Sequence, residues 1–428
     1  MQVVADLHLH SKYSRAVSPQ MVIPEIAKWA KKKGIDLVGT ADWTHPLWLR
    51  ELKENLVETG EGIFAAKNDL QGPKFLLATE ISNIYSQGGK GRRIHNLVLA
   101  SSFATVEKIN AALRSRGANL LSDGRPIIGL SARDLAELVF GVDKDCLIVP
   151  AHVWTPWFSL YGSKSGFDSI KECFGEFASN IYAVETGLSS SPGMNWRIEE
   201  LDNRSIVSFS DAHSAAKLGR ETTIFEIQEM PALRDSSGIK KLSYEDIKEA
   251  IKEQKIASTI EFYPEEGKYH YTGHRNCQVR HSPGDSKKLG TTCPVCGRPL
   301  TVGVMHRVEE LAARPADFSP ENRPPYQMLV PLMEILAEAL GSGVSSQKVI
   351  NEYNYLTNNF GSEFKVLLKT PVGEIAKISG ERAAEGIKKV RVGDIVVEPG
   401  YDGVFGRVKI WPSSAKASKG KGNQMSLF

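Results

Sequence analysis

The chain has 428 residues, of which 41% are hydrophobic and 24% charged. That is enough for one to three domains with a full apolar core, and it excludes a mainly disordered, collagen-like or disulfide-scaffold protein. Fifty-three Lys and Arg stand against 50 Asp and Glu, and Lys416, Lys419 and Lys421 near the C-terminus supply the excess of three, so whole-chain charge does not point to nucleic acid and any such surface must be a local patch.

No run approaches the ~20 apolar residues of a membrane span, and Met1–His8 carries no basic segment followed by an apolar one, so neither a span nor a signal peptide is expected. The five cysteines, Cys146, Cys173, Cys277, Cys293 and Cys296, are odd in number, and three fall within twenty positions. That suits a reducing, cytoplasmic setting and a metal site.

Residues 1 to about 260 alternate short apolar runs with helical stretches such as Pro24–Lys33. The runs end near residues 8, 42, 80, 100, 152, 185 and 211. Seven of them in series predict an α/β fold, a closed or nearly closed β/α barrel of parallel strands with its site at the strands' C-terminal ends. In Asp6-Leu7-His8-Leu9-His10 strand alternation projects Asp6, His8 and His10 to one side and Leu7 and Leu9 to the other. Other strand ends offer Asp42 with His45, Glu80, His95, His152, Glu185, and Asp211 with His213. One such residue per strand end predicts a shared centre holding two or more divalent metals, because carboxylates and imidazoles together clamp paired ions that activate water and bind a phosphoryl oxygen.

Composition shifts near residue 260. His274-x2-Cys277-x15-Cys293-x2-Cys296 forms two chelating knuckles, the second followed by Gly297, and predicts a structural zinc module over 268–305. Residues 306–411 read as an α+β region, helical over 325–360 and built of short strands with Gly turns over 364–411. Residues 412–428 read as a flexible basic tail.

The Asp6–Ser11 segment and the order of the later donors resemble the PHP superfamily of metal-dependent phosphoesterases over the first 260 residues. Gly39–Pro46, Pro150–Trp157 and Ser208–Ser214, followed by the cysteine cluster, are similar more narrowly to the endonuclease Q family. That resemblance implies an enzyme that nicks DNA on the 5′ side of deaminated bases (hypoxanthine, uracil, xanthine) and of abasic sites, located in the cytoplasm on the nucleoid. Carried over residue by residue, it implies ligands among His8, His10, Asp42, Glu80, His95, His152, Asp211 and His213. His8, His10, Glu80, His152 and Asp211 are expected at the chemistry itself. It also implies an Asp where this chain has Ser191, a hydroxyl in place of a carboxylate ligand or base. The competing expectations are a small-molecule phosphatase of histidinol-phosphate type and a catalytically impaired DNA-binding scaffold.

Residues expected on damaged DNA are Trp154, Trp157 and Tyr161 as stacking or wedging aromatics, with Arg197 near them. Arg92 and Arg93 after a glycine loop, and Arg280 in the basic loop of the zinc module, are expected on phosphates. The final Gln424-Met425-Ser426-Leu427-Phe428 resembles peptides that bind a sliding clamp, close to the bacterial pentapeptide type and to a shortened PCNA-interacting motif. Gln424, Leu427 and Phe428 are its expected contacts.

Overall fold

The structure is a computed structural model and describes residues 1–228 and 241–412. Among the described residues, twelve strands precede residue 262: β1 (Gln2–Asp6), β2 (Leu37–Gly39), β3 (Leu56–Gly60), β4 (Ile63–Ala66), β5 (Asp69–Gln87), β6 (Lys90–Ala100), β7 (Ile127–Ile128), β8 (Leu147–Pro150), β9 (Ala183–Glu185), β10 (Ser205–Val207), β11 (Thr222–Glu226) and β12 (Ile256–Glu261). They make a mixed rather than a uniformly parallel barrel. β1, β2 and β5 run parallel, but β6 lies antiparallel on β5 and β8 antiparallel on β6. β9 and β10 form their own parallel pair. The ring passes from β8 to β9 through the Val153 N–H donating to the Glu185 carbonyl at 3.1 Å, and returns from β10 to β1 through a Leu9–Ala212 bridge.

Alternate residues along these strands, including Val3 and Ala5 of β1 with Leu7 just beyond it, Leu97 and Leu99 of β6 and Val149 of β8, form one buried cluster inside the ring. The helix Tyr244–Lys252 packs Tyr244, Ile247 and Ile251 onto it. The opposite faces pack against an outer layer of helices. The helix Ile23–Lys33 shows why such a segment becomes helix. Ile23, Ile26, Ala27 and Ala30 share a face, Pro24 opens the first turn, and Gly34 closes the last in the left-handed region at φ 89°.

The antiparallel β5–β6 hairpin explains a feature the parallel reading could not. His95 precedes its apolar run, whereas the other donors follow theirs. Because β6 runs backwards, its early residues come to the same end of the ring, with His95 opposite Ser82. Strand alternation also fails where β1 ends. Leu7 sits in the inner cluster but Leu9 in the outer one. Asp6 accepts hydrogen bonds from the Ser210 N–H (3.0 Å), the Ser210 hydroxyl (2.6 Å) and the Gly219 N–H (2.9 Å), and takes no part with His8 and His10 in a donor cluster.

Beyond residue 262, β13 (Thr272–His274) and β14 (Val279–His281) form a hairpin, and β15 (Tyr326–Met328) adds to the barrel sheet parallel to β12. The expectation of short strands over 364–411 is corrected. Lys365–Lys369 and Val372–Arg391 are helical, the latter kinked at Gly380, and only Val396–Glu398 and Arg407–Lys409 pair as strands. Ile375, Ala383, Ala384, Ile387 and Val390 keep helical spacing and are buried, so packing of that stripe prevails over the glycines between them. Lys33 and Glu363 form a buried ion pair at 2.6 Å, and the Tyr353 hydroxyl donates to the same carboxylate at 2.9 Å, which ties the barrel to the C-terminal helices.

Candidate metal centre

Two sets of ligand atoms converge at the mouth of the ring. His8, His10, Glu80 and Asp211 make one and Glu80, His95 and His152 the other; within each set the ligand atoms lie within 4.8 Å of one another. Glu80 belongs to both. Its Oε1 lies 2.6 Å from His95 Nδ1 and 3.1 Å from His152 Nε2. Its Oε2 lies 3.3 Å from His10 Nε2 and 3.6 Å from His8 Nε2. Glu80 opposes Leu97 in the hairpin, so it and His95 are diagonal neighbours on one face, within reach of long side chains.

Outer partners fix which ring nitrogen each histidine presents. His8 Nδ1 lies 2.9 Å from Glu185 Oε1, and His10 Nδ1 lies 3.3 Å from Asp42 Oδ1. A carboxylate only accepts, so each Nδ1 carries the proton and Nε2 faces the centre. The Ser159 hydroxyl donates to the His152 carbonyl at 2.6 Å and therefore accepts from His152 Nδ1 at 3.2 Å, which leaves Nε2 of that ring inward as well. His8 Nε2 is buried with no hydrogen-bond partner among the described residues. A donor atom held in that position, among carboxylates, fits a cation better than a proton network, and the N/O donor set suits a borderline or hard divalent ion.

The electrostatics agree. Burial opposes charge on His8, but Glu185, Glu80 and Asp211 outweigh it and hold the imidazolium well above its usual range. His10 behaves likewise through Asp211, Asp42 and Glu80. Burial pushes His95 down to about 4 despite Glu80. Burial also opposes the charge of Glu80, yet His95, Arg125 and His8 bring its carboxyl well below the usual range. A cation held by these residues would therefore have to displace protons from His8 and His10. Asp42, His152 and Asp211 all sit at positive φ, 36°, 33° and 48°, a cost of about 1–3 kcal/mol each that the surrounding structure must impose. Gly187 permits a close approach to His152: a Cβ there would lie 2.3 Å from His152 Cβ.

The centre opens into a cavity of about 550 Å³ lined by Arg125, Trp157, Phe158, Ser82 and Ser189 among others. The Ser82 and Ser189 hydroxyls there are buried with no hydrogen-bond partner among the described residues. Arg125, whose Nη1 donates to Glu80 Oε2 at 2.9 Å, is a feature that residue spacing did not reveal, and Glu185, expected among the strand-end donors, holds His8 from outside both sets. The Asp123-Gly turn before Arg125 was the available signal.

Several expectations need correction. Asp42 and His213 stand outside both convergent sets. Asp42 accepts from the Ser11 N–H at 2.6 Å and the Ser14 hydroxyl at 2.8 Å while holding His10. The His213 ring packs 4.7 Å from that of His10, and its Nδ1 is turned to the Asp211 carbonyl at 2.8 Å. His45 stacks on Tyr13 instead, with centroids 4.4 Å apart. Ser191 does not face the donors. It precedes the short helix Pro192–Asn195, its carbonyl accepts from Asn195, and its hydroxyl pairs with Tyr326.

Trp154 and Tyr161 are core residues at 0% exposure. They pack on each other, with Nε1–H donating to Asn195 and the phenol to Glu200. Arg197 is buried against Glu309 and the Arg314 carbonyl. Arg92 is tied to the Gly166 carbonyl and stacked 3.9 Å from the Phe167 centroid. Trp157 lines the cavity, and Arg93 and Arg280 are exposed.

The second centre is smaller. His274, Cys277, Cys293 and Cys296 bring their ligand atoms within 4.8 Å of one another. His274 closes the β13–β14 hairpin at the end where it pairs with Val279. His281 pairs with Thr272 at the other end of the hairpin. The Cys293 N–H donates to the Arg298 carbonyl at 2.8 Å and the Gly297 N–H to the Cys293 carbonyl at 2.9 Å, forming the knuckle turn. This Cys3His set fits a metal ion.

Beneath the main centre, burial pushes the Glu261 carboxyl up to about 8. Between the ordinary glutamate range and pH 8 the folded chain thus binds a proton that the unfolded chain has lost, and stability falls as pH rises through that window. Glu261→Gln should flatten this slope; chemical denaturation from pH 5 to 9 checks it, and an unchanged slope would show that Glu261 is ionised throughout.

Comparison with known proteins follows this geometry. Residues 331–394 match the family model described as the MJ0043 C-terminal domain. The uncharacterized protein MJ0043 of Methanocaldococcus jannaschii is 35% identical over 265 residues, which span 61% of this chain and 32% of that longer protein. The crystal structure of the lesion-specific endonuclease PfuEndoQ from Pyrococcus furiosus superposes with a TM-score of 0.81 at 34% identity, covering 96% of this chain and 95% of that one. An Endonuclease Q complex with a 27-mer duplex substrate bearing an abasic lesion at the active site superposes at 0.82 and 35% identity, covering 96% and 97%. With a third of its residues identical across almost the full length of both chains, the protein belongs to the endonuclease Q family.

Proposed function

We propose that the chain is a metal-dependent DNA repair endonuclease that hydrolyses the phosphodiester on the 5′ side of deaminated bases (hypoxanthine, uracil and xanthine) and of abasic sites, working on the nucleoid. The observation that carries this is the pair of donor sets sharing Glu80 at the base of a cavity large enough for an extruded nucleotide, in a chain that superposes on a lesion-bound relative. When bound, divalent cations supply activated water and stabilise charge on the phosphoryl group. The chain's own residues do the rest. Glu185 and Asp42 orient His8 and His10, and Ser159 orients His152. Trp157 and Phe158 offer aromatic faces to a base, and the unpartnered Ser82 and Ser189 hydroxyls offer groups that both donate and accept, as the N–H and C=O edge of a deaminated base requires. Arg93 and Arg280 remain available to backbone phosphates.

Nicking of a deoxyinosine duplex, with phosphate release from a sugar phosphate and binding without turnover as the competing outcomes, tests the reading. His8→Ala and Glu80→Ala should each abolish nicking and leave affinity for the duplex within a few-fold of wild type. Near-normal cleavage by either variant would remove that residue from the ligand set.

The Cys3His set is assigned to structural zinc on its all-protein donor count. Cys293→Ser should release one zinc per chain while the barrel metals stay; metal analysis that found both centres emptied would show that they depend on each other.

Residues 424–428 lie outside the described residues, and their assignment to a sliding clamp, PCNA or a bacterial clamp, rests on the sequence. Deleting them should leave nicking of naked oligonucleotides unchanged and remove clamp binding, which two apolar anchors of ~1.5–3 kcal/mol each place in the micromolar range. Calorimetry on full-length and truncated chains decides it, and equal binding by both would refute the assignment.

A further inference from the structure

The segment between the helices Phe103–Ser115 and Ala132–Val142 crosses the mouth of the cavity, and one cation on it is held with little freedom. Asp123 is buried, and its Oδ1 accepts the backbone N–H of Arg15 at 3.3 Å and of Arg125 at 3.1 Å. Gly124 donates its N–H to the Tyr13 carbonyl at 3.0 Å, and its own carbonyl accepts from the Thr44 hydroxyl at 3.0 Å. No side chain fits there: a Cβ on Gly124 would lie 2.3 Å from Asp42 Oδ2 and 2.4 Å from Ser14 Oγ. On the other side the Pro126 carbonyl accepts the Ser82 N–H at 3.0 Å, and Ile127 pairs with Ser82 as β7 joins β5. The backbone flanking Arg125 is therefore fixed to the same elements that hold His10 and Glu80.

The side chain reaches from this support into the cavity, beside His95, His152 and Asp211. Its Nη1 donates to Glu80 Oε2 at 2.9 Å, and among the described residues this is the one hydrogen bond its guanidinium makes. A guanidinium has five N–H donors. The remaining edge, with the side chain 26% exposed, faces the space a substrate enters. A counterion for Glu80 alone has no need of that exposure, and covering the open N–H groups with DNA without pairing them costs affinity.

We propose that Arg125 is a catalytic residue that donates from its guanidinium to a non-bridging oxygen of the scissile phosphate while Glu80 holds its other edge. This rests on the endonuclease reading above. The guanidinium stays protonated throughout and transfers no proton. Its contribution is a fixed positive charge where negative charge gathers during phosphoryl transfer. The planar fork matters, since an ammonium cannot span Glu80 and a phosphate oxygen with the same geometry.

A cycle between protein and DNA separates this role from a structural one. Wild type, Arg125→Ala and Arg125→Lys are titrated, in EDTA so that metals do not contribute, with a deoxyinosine duplex and with the same duplex carrying a neutral methylphosphonate at the scissile linkage. Wild type should lose about tenfold in affinity on the neutral linkage. Arg125→Ala should lose a similar factor on the natural duplex and nothing further on the neutral one. At saturating natural duplex with metal, Arg125→Ala should nick about 10²–10³-fold more slowly. Arg125→Lys should regain binding but not rate. If Arg125→Ala fails to fold, Arg125→Gln and Arg125→Lys complete the same cycle. Methylphosphonate sensitivity that survives loss of the guanidinium, or a wild-type nicking rate without it, overturns the proposal. Wild type that does not nick the deoxyinosine duplex overturns the endonuclease reading itself, whereas wild type that nicks with no coupling at residue 125 overturns only the role of Arg125.

Discussion

One buried carboxylate is shared, and much of the site is arranged to make that sharing tolerable. Glu80 is at 0% exposure, and taking a carboxylate out of water costs several kcal/mol unless opposite charge surrounds it. Its two oxygens face different imidazole sets, and Arg125 neutralises it from the cavity side. The hairpin of β5 and β6 follows from the same requirement. Glu80 lies mid-strand, and only an antiparallel partner brings His95 back to its diagonal neighbour. Glu185 performs the equivalent service at the end of β9. Its carboxylate holds His8 Nδ1 and accepts the backbone N–H of His152 at 2.8 Å, so one side chain from β9 sets a ring in the first donor set and the backbone of a residue in the second.

The donors were legible in the sequence because each sits next to an apolar run long enough to be recognised as a strand. Strand direction was not legible, because the short apolar runs of antiparallel β6 and parallel β2 carry no mark of direction, and only the position of His95 before its run hinted at it. Arg125 was missed because its context is a turn followed by a two-residue strand, too short for any period to register. The aromatics after His152 misled for a different reason. Trp154 and Tyr161 are buried by polar partners, Asn195 and Glu200, that arrive from about forty positions later, and no local pattern separates such a core pair from a rim pair. The helix Val372–Arg391 stands where the Gly turns at Val390–Asp394 and Gly400–Gly403 suggest short strands over the whole region, although its buried stripe has helical spacing.

Arg197 shows how a cation near the site comes to serve the fold. It pairs with Glu309 on the helix Val304–Leu311, and Lys287 of the helix Pro283–Leu289 pairs with the same carboxylate. That shared acid links a barrel loop to the Cys3His module. The Ser163 hydroxyl donates to the Val302 carbonyl at 3.3 Å, and Arg307 donates from Nε to the Tyr161 carbonyl at 3.0 Å, so the same junction is tied at further points.

On the endonuclease reading, these ties bear on how a duplex would be gripped. A metal module on a free linker would add affinity for DNA without adding direction, since its phosphate contacts carry no information about where the reacting linkage lies. Here the segment after His152 that carries Trp157 also carries Ser163 and Tyr161, which fasten it to the module, while Trp157 itself packs edge-on to Tyr269 at 5.3 Å just ahead of β13. The exposed Arg280 is thereby held in a fixed relation to the cavity, its Nη1 donating to the Pro399 carbonyl at 3.2 Å. Phosphate contacts made there would set the register of the strand before the lesion reaches the donors, and chemistry that depends on placing one linkage to within a fraction of an ångström benefits from that register being set by rigid elements.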